Sequence, residues 1–182
     1  MPSTTRRLGA ALAALPLSLA LLACGGDTEA ADKPSAPTWS AQEITLEGVT
    51  LDVPKEWVSN TGNVGDVETV FANTPAGEEP VVALIADVRE SYKESLDEYA
   101  DEAMTWDEEL KKRNADVTVD GVKFFHVSQK ADEKADLEAK EHYGAIVGDK
   151  VYKFDFTLGS ADQAELVEEI VSTVDFDTVD FD

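Results

Sequence analysis

The spacing of apolar residues changes period several times along this chain, and each change marks an element. From Ile44 the period is two. "EITLEGVTLDVP" reads as two short strands split at Glu47-Gly48, with Val49, Leu51 and Val53 facing one way and Thr50 and Asp52 the other. Pro54, which has no N–H to give a ladder, ends the run, and Trp57 follows. "VETVFAN" (Val67–Asn73) predicts another short strand. "PVVALIADV" (Pro80–Val88) is almost continuously apolar, which predicts a central strand covered on both faces. The period then lengthens. Leu96, Tyr99, Ala100, Ala103 and Leu110 fall on one helical stripe behind the capping box Ser95-x-x-Glu98, with Ser91-x-x-Glu94 as an alternative start. Acidic Asp97, Glu98, Asp101 and Glu102 come early and basic Lys111, Lys112 and Arg113 late, the order that complements a helix dipole.

Period two then returns. "ADVTVDG" turns at Asp120-Gly121 into "VKFFHVSQK", a strong hairpin signal. "AKEHYGAIVGDKVYKFDFTLG" predicts a second hairpin turning at Gly148-Asp149. In it Tyr152, Phe154, Phe156 and Leu158 alternate with Lys153, Asp155 and Thr157. Ser160-x-x-Gln163 opens a last helix whose stripe is Leu166, Val167, Ile170, Val171 and Val174. Every strand-to-strand link is short enough for antiparallel pairing. The fold class is therefore α+β, a mostly antiparallel sheet flanked by helices over residues 43–177, with an acidic tail at 178–182.

The first residues obey a different rule. Arg6 and Arg7 precede an uncharged apolar run, Leu8 to Ala23, interrupted by Pro16. Such a run is too short and alanine-rich for a permanent span and reads as an export signal over 1–23. Thr5-Arg6-Arg7 hints at twin-arginine export, but the rest of that pattern is missing, so ordinary secretion is expected. The run ends in Leu21-Leu22-Ala23-Cys24, followed by Gly25-Gly26. This resembles the lipobox of bacterial lipoproteins, in which cleavage falls between Ala23 and Cys24 and the Cys24 thiol takes a diacylglyceryl group. Leu22 is bulkier than the usual residue there. Two acyl chains anchor stably where one is marginal. Cys24 is the single cysteine of the chain, so an intramolecular disulfide is impossible. Residues 25–38, small, polar and proline-containing, read as a tether within a linker reaching residue 42, about 20 Å long as a coil.

Charge narrows the partners. The 182 residues carry a formal charge of -23, and residues 1–23 hold only the charges of Arg6 and Arg7, so the remainder carries -25. That surface repels phosphate backbones and anionic headgroups, which excludes nucleic acid and leaves a lipid anchor as the means of membrane attachment.

The strand ending in "LDVPKEW" (Leu51–Trp57), the Ser-capped helix, the antiparallel hairpins and the C-terminal helix, behind a lipoprotein-type start, are together similar to the LpqN-type lipoproteins. They also resemble the wider fold group of the PsbP extrinsic proteins of photosystem II. The shared local motif is Val53-Pro54-x-x-Trp57; element order over about 43–177 carries the rest. The resemblance implies a six- or seven-stranded antiparallel sheet sandwiched by helices. It also implies an accessory or binding role without catalysis or cofactor. The expected partner is an envelope protein or other envelope component at the outer face of the cell membrane.

The candidate chemistry is sparse. His126 and His142 are the two histidines; if Phe125 pairs with Tyr143 they face each other across a ladder, with Glu141 or Asp155 nearby, and could begin a zinc site. A slip of one residue would put them on opposite faces. "DVTVDG" (Asp116–Gly121) imitates a calcium loop, but Thr118 stands at its third position and Val127 at its twelfth, so a strand is expected instead. "KADEKADLEAKE" (Lys130–Glu141) reads as a solvated hairpin tip. In "VDFDTVDFD" (Val174–Asp182), Val174 and Phe176 are expected to finish the helix packing; the acids offer a second candidate cation site. No hydrolase, metalloprotease, P-loop or dinucleotide motif is present.

Overall fold

The computed structural model describes residues 37–78, 81–105, 110–134 and 136–176. Ala23, Cys24 and the acids of residues 177–182 lie outside them.

Strands β1 (Ala41–Leu46) and β2 (Val49–Pro54) form a hairpin of their own through the Glu47-Gly48 turn. Eight further strands build one antiparallel sheet: β3 (Val58–Val64), β4 (Val67–Asn73), β5 (Val82–Glu90), β6 (Lys111–Arg113), β7 (Val117–Val119), β8 (Val122–Gln129), β9 (Ala139–Val147) and β10 (Lys150–Leu158). Their order is β3-β4-β5-β10-β9-β8-β6, with β7 also on β8. Helix α1 (Leu96–Met104) lies between β5 and β6 in the chain, and α2 (Ala164–Ser172) follows β10 through a single 3₁₀ turn. The class is the expected α+β. The main sheet has eight strands rather than six or seven, and the β1–β2 hairpin stands apart from it.

The hairpins form where turn chemistry placed them. Asp120 and Gly121 both take positive φ, 50° and 75°, the conformation of a two-residue type I′ turn. Helix α1 starts as expected, with the Ser95 hydroxyl accepting from the Glu98 amide at 3.3 Å. It stops at Met104, however, with Thr105 as its C-cap. Lys111, Lys112 and Arg113 are therefore not its last turn but strand β6. Their charge still serves the helix end, because Lys111 Nζ donates to the carbonyls of Ala103 (2.8 Å) and Thr105 (3.0 Å).

The two faces of the sheet are unequal. One carries the main core: Leu84, Ala86 and Val88 of β5, Tyr152, Phe154 and Phe156 of β10, Tyr143 and Ala145 of β9 and Phe124 of β8. Leu46, Val49, Leu51 and Val53 of the hairpin close over it with Val167, Ile170 and Val171 of α2. Val174 and Phe176 complete it as expected, both fully buried, and Asp175 pairs its backbone with Thr50. The opposite face is covered by α1 over Phe125, Val127 and Val151, through Tyr99 and Ala100. Beyond α1 that face is open. Ile85 is 44% exposed and its cross-strand neighbour Phe71 36% exposed. Strand β5 is thus covered on both faces along only part of its length, and its second face carries Ala83 and Ile85 followed by the Asp87–Arg89 ion pair.

Three tyrosines record this packing. Burial raises the phenols of Tyr143 and Tyr152 above their ordinary value. Tyr92 is pushed up to about 12 by loss of hydration and by the hydrogen bond it donates to Glu102 at 2.7 Å. An unfolded tyrosine ionises near pH 10. A raised phenol contributes stability that is complete below that value and is lost as pH rises through the folded value, for Tyr92 toward about 12. In an ultraviolet titration at about pH 10, the native chain should show clearly less tyrosinate than the urea-unfolded chain. Superimposable titrations would contradict the packing.

Candidate functional site

The two histidines do not meet. Strands β8 and β9 pair His126 with Tyr143 and Val127 with His142, one residue away from the register that would set the imidazoles opposite each other. A slip of one residue reverses faces, so His126 lies on the core face and His142 on the α1 face. The physical reason sits one position along, where Phe125 pairs with Gly144. A Cβ on Gly144 would lie 2.4 Å from Phe125 Cε1, so the ring occupies the space that glycine leaves. Pairing Phe125 with Tyr143 would set two rings against each other and turn Phe124 away from the core.

Each histidine instead takes one of the expected carboxylates. His142 Nδ1 lies 2.7 Å from Asp155 Oδ1 on β10, its direct cross-strand partner; its Nε2 is buried without a hydrogen bond. His126 Nε2 lies 2.6 Å from Glu141 Oε2, and both side chains are only 12% exposed. The His126 ring stacks on that of Tyr143, centroids 4.2 Å apart and planes 13° from parallel. Asn114 adds a polar edge, with its Nδ2 donating to Ser128 Oγ at 3.1 Å and lying 3.4 Å from His126 Nε2. The approach of Asn114 to His126 was not readable from the sequence, because it depends on where β6 ends and turns Asn114 toward β8.

The His126–Glu141 pair lies between two cavities. His126 and Tyr143 line a space of about 300 Å³ closed by Val117–Val119 of β7 and by Glu168, Val171 and Ser172 of α2. Glu141 and Ser128 line a wider one of about 610 Å³, formed with the 130–138 hairpin tip and the Leu158–Ala161 turn. The solvated tip expected over Lys130–Glu141 is shorter than that: the turn is held by an Asp132–Leu137 bridge, and residues 139–141 already belong to β9, with Ala139 buried and Glu141 turned into the site. Asp116, of the discarded calcium loop, spends its carboxylate on basic side chains. Lys123 at 2.8 Å and Arg113 hold its pKa below the ordinary carboxylate range. Among the described residues no group of three His, Cys, Asp or Glu side chains converges to hold a metal ion. A histidine with one nitrogen on a carboxylate and its ring stacked on a phenol has its other nitrogen, Nδ1, with which to meet a ligand at the wall of a cavity. Nε2, the nitrogen facing Glu141, is already engaged, and no nucleophile stands on Nδ1 among the hydrogen bonds described.

No family model matches the chain, and no curated protein sequence is similar to it. Solved structures do match. The solution structure of cyanobacterial PsbP (CyanoP) from Synechocystis sp. PCC 6803 aligns with 85% of this chain and 98% of its own, at 13% sequence identity and a TM-score of 0.50. The chain therefore has a PsbP-like α+β fold. At that identity the likeness concerns the fold alone.

Proposed function

We propose that this chain is a lipoprotein of the bacterial cell envelope, of the LpqN type. Cys24 anchors it at the outer face of the cell membrane, and its PsbP-like domain binds or assists another envelope component without catalysing a reaction. The observation that carries the reading is the order of its first residues: a charged start, an apolar run, Leu21-Leu22-Ala23-Cys24, then a small polar tether. Lipidation consumes the one thiol before the mature protein works. Among the described residues no helix is long and apolar enough to cross a membrane. The arrangement of the histidines supports a binding role, because each is engaged by a separate carboxylate and His126 presents its ring at the wall of a ligand-sized cavity.

Crosslinking in intact cells followed by pull-down tests the reading. The wild-type chain should capture a defined envelope component, and Cys24→Ser should lose it. A purified chain that turned over a substrate, and stopped when one polar side chain was replaced, would overturn the non-catalytic part.

A further inference from the structure

The two edges of the eight-stranded sheet are finished differently. At one edge β6 carries Lys111, Lys112 and Arg113; Lys111 serves the end of α1 and Arg113 pairs with Asp116, while Lys112 is exposed, a cation of the kind that keeps an edge from pairing with another strand. At the other edge stands β3, "VSNTGNV", which has neither charge nor proline. The uncharged stretch runs from Trp57 to Gly65, in a chain where charged residues make up 29%. Among the described residues β3 pairs with β4 alone, and its side chains are exposed on both faces. Val58 and Val64, at its two ends, are 57% and 60% exposed. An edge of this length without a protective device is a template for a further strand.

The sequence of β3 states which strand. In an antiparallel pair the residues facing each other must both point their backbone groups into the shared seam, and those groups alternate along a strand. Two copies of β3 can therefore meet only when the facing positions are both odd or both even. Of these registers, the one that uses all seven residues places the two-fold axis at Thr61. It sets Val58 against Val64, Ser59 against Asn63 and Thr61 against Thr61 of the other copy. Both exposed valines are then covered by each other, on the same open face as Phe71 and Ile85. Thr–Thr and Val–Val pairs are favourable cross-strand neighbours. Gly62 gains a reason as well. Its backbone is not left-handed and a Cβ there would meet nothing within 4 Å, so nothing among the described residues requires glycine. Across the seam it faces Asn60, where a bare backbone admits the amide.

We propose that β3 is a homodimerisation edge, joining two copies of this chain through an antiparallel β3–β3 pair about a two-fold axis at Thr61. The contact is isologous, so it closes at two copies and does not propagate. It is a small interface between two molecules of the same high negative charge; the seven paired residues carry none, and the nearest acids, Glu56 and Asp66, flank the strand at its two ends. Salt strengthens it by screening the repulsion, whereas a basic partner strand on this edge would be released by salt. The inference does not depend on the lipid anchor.

Disulfide trapping tests it in the full chain carrying Cys24→Ser, where an introduced cysteine is the single thiol. Thr61→Cys places two thiols face to face on the axis, within disulfide reach. Ser59→Cys places them four residues apart along the seam, about 13 Å. Both positions are exposed, so neither change disturbs the monomer. Under mild oxidation Thr61→Cys should give a covalent dimer in at least tenfold the yield of Ser59→Cys, and the yield should rise with salt. Adding Gly62→Glu, which meets nothing in the monomer but sets two acids near the axis, should lower the yield severalfold with the thermal midpoint unchanged. Equal yields at 59 and 61, no dimer at 61, a fall in yield with salt, or a disulfide to a different protein would each overturn the proposal.

Discussion

Replacing Phe154 by alanine should cost about 3–5 kcal/mol of folding stability, a large share of the 5–15 kcal/mol typical of a domain. Phe154 is fully buried near the middle of β10, between Ala86 of β5 and Tyr143 of β9, with the Phe124 ring 6.0 Å away. Strands flank it on both sides, and the β1–β2 hairpin and α2 close the same core, so no mobile segment is placed to fill the hole. Truncation there loses the transfer energy of the ring and leaves a cavity. Urea unfolding should show a lower midpoint with an unchanged slope. Phe154→Leu should lose much less, since most of the volume remains. A loss below about 1 kcal/mol for Phe154→Ala would mean that this face is not packed as described.

Gly144→Ala should cost about 1–3 kcal/mol, by crowding rather than by a cavity. The new methyl would sit 2.4 Å from Cε1 and 2.8 Å from Cζ of Phe125. That ring is 2% exposed and is held under α1 with Tyr99, Ala100, Val127 and Val151. It can yield only by lifting α1 or sliding β8 along β9. Phe125→Leu in the same chain should recover part of the loss, so the two substitutions should be strongly non-additive in a double-mutant cycle. Strict additivity would show that the glycine is not holding the register.

This glycine also marks where sequence reasoning stopped short. Alternation identified the core face of β10, because Tyr152, Phe154, Phe156 and Leu158 announce themselves against Lys153, Asp155 and Thr157. Turn chemistry located the Asp120-Gly121 and Gly148-Asp149 hairpins. Registration between β8 and β9 was decided by the fit of one ring over one missing side chain, which periodicity does not contain. The histidine pair was lost with it. Strand β3 was missed because its strand character comes from pairing with β4 rather than from an apolar face. Strand β6 was missed because three cations in a row also suit a helix end. The cavity beside His126 arises from α2 crossing β7 and β9, a tertiary event that no local pattern announces.

Fatty-acid labelling with membrane fractionation addresses the central claim most directly. Cells expressing the full chain are grown with a tagged fatty acid, and the chain is recovered from membrane and soluble fractions. The wild-type chain should carry the tag, have Cys24 as its first residue and sediment with the membrane. Cys24→Ser should carry no tag and keep its signal uncleaved at that bond. A wild-type chain that is untagged, or a Cys24→Ser chain that is labelled and cleaved at the same bond, would contradict the account.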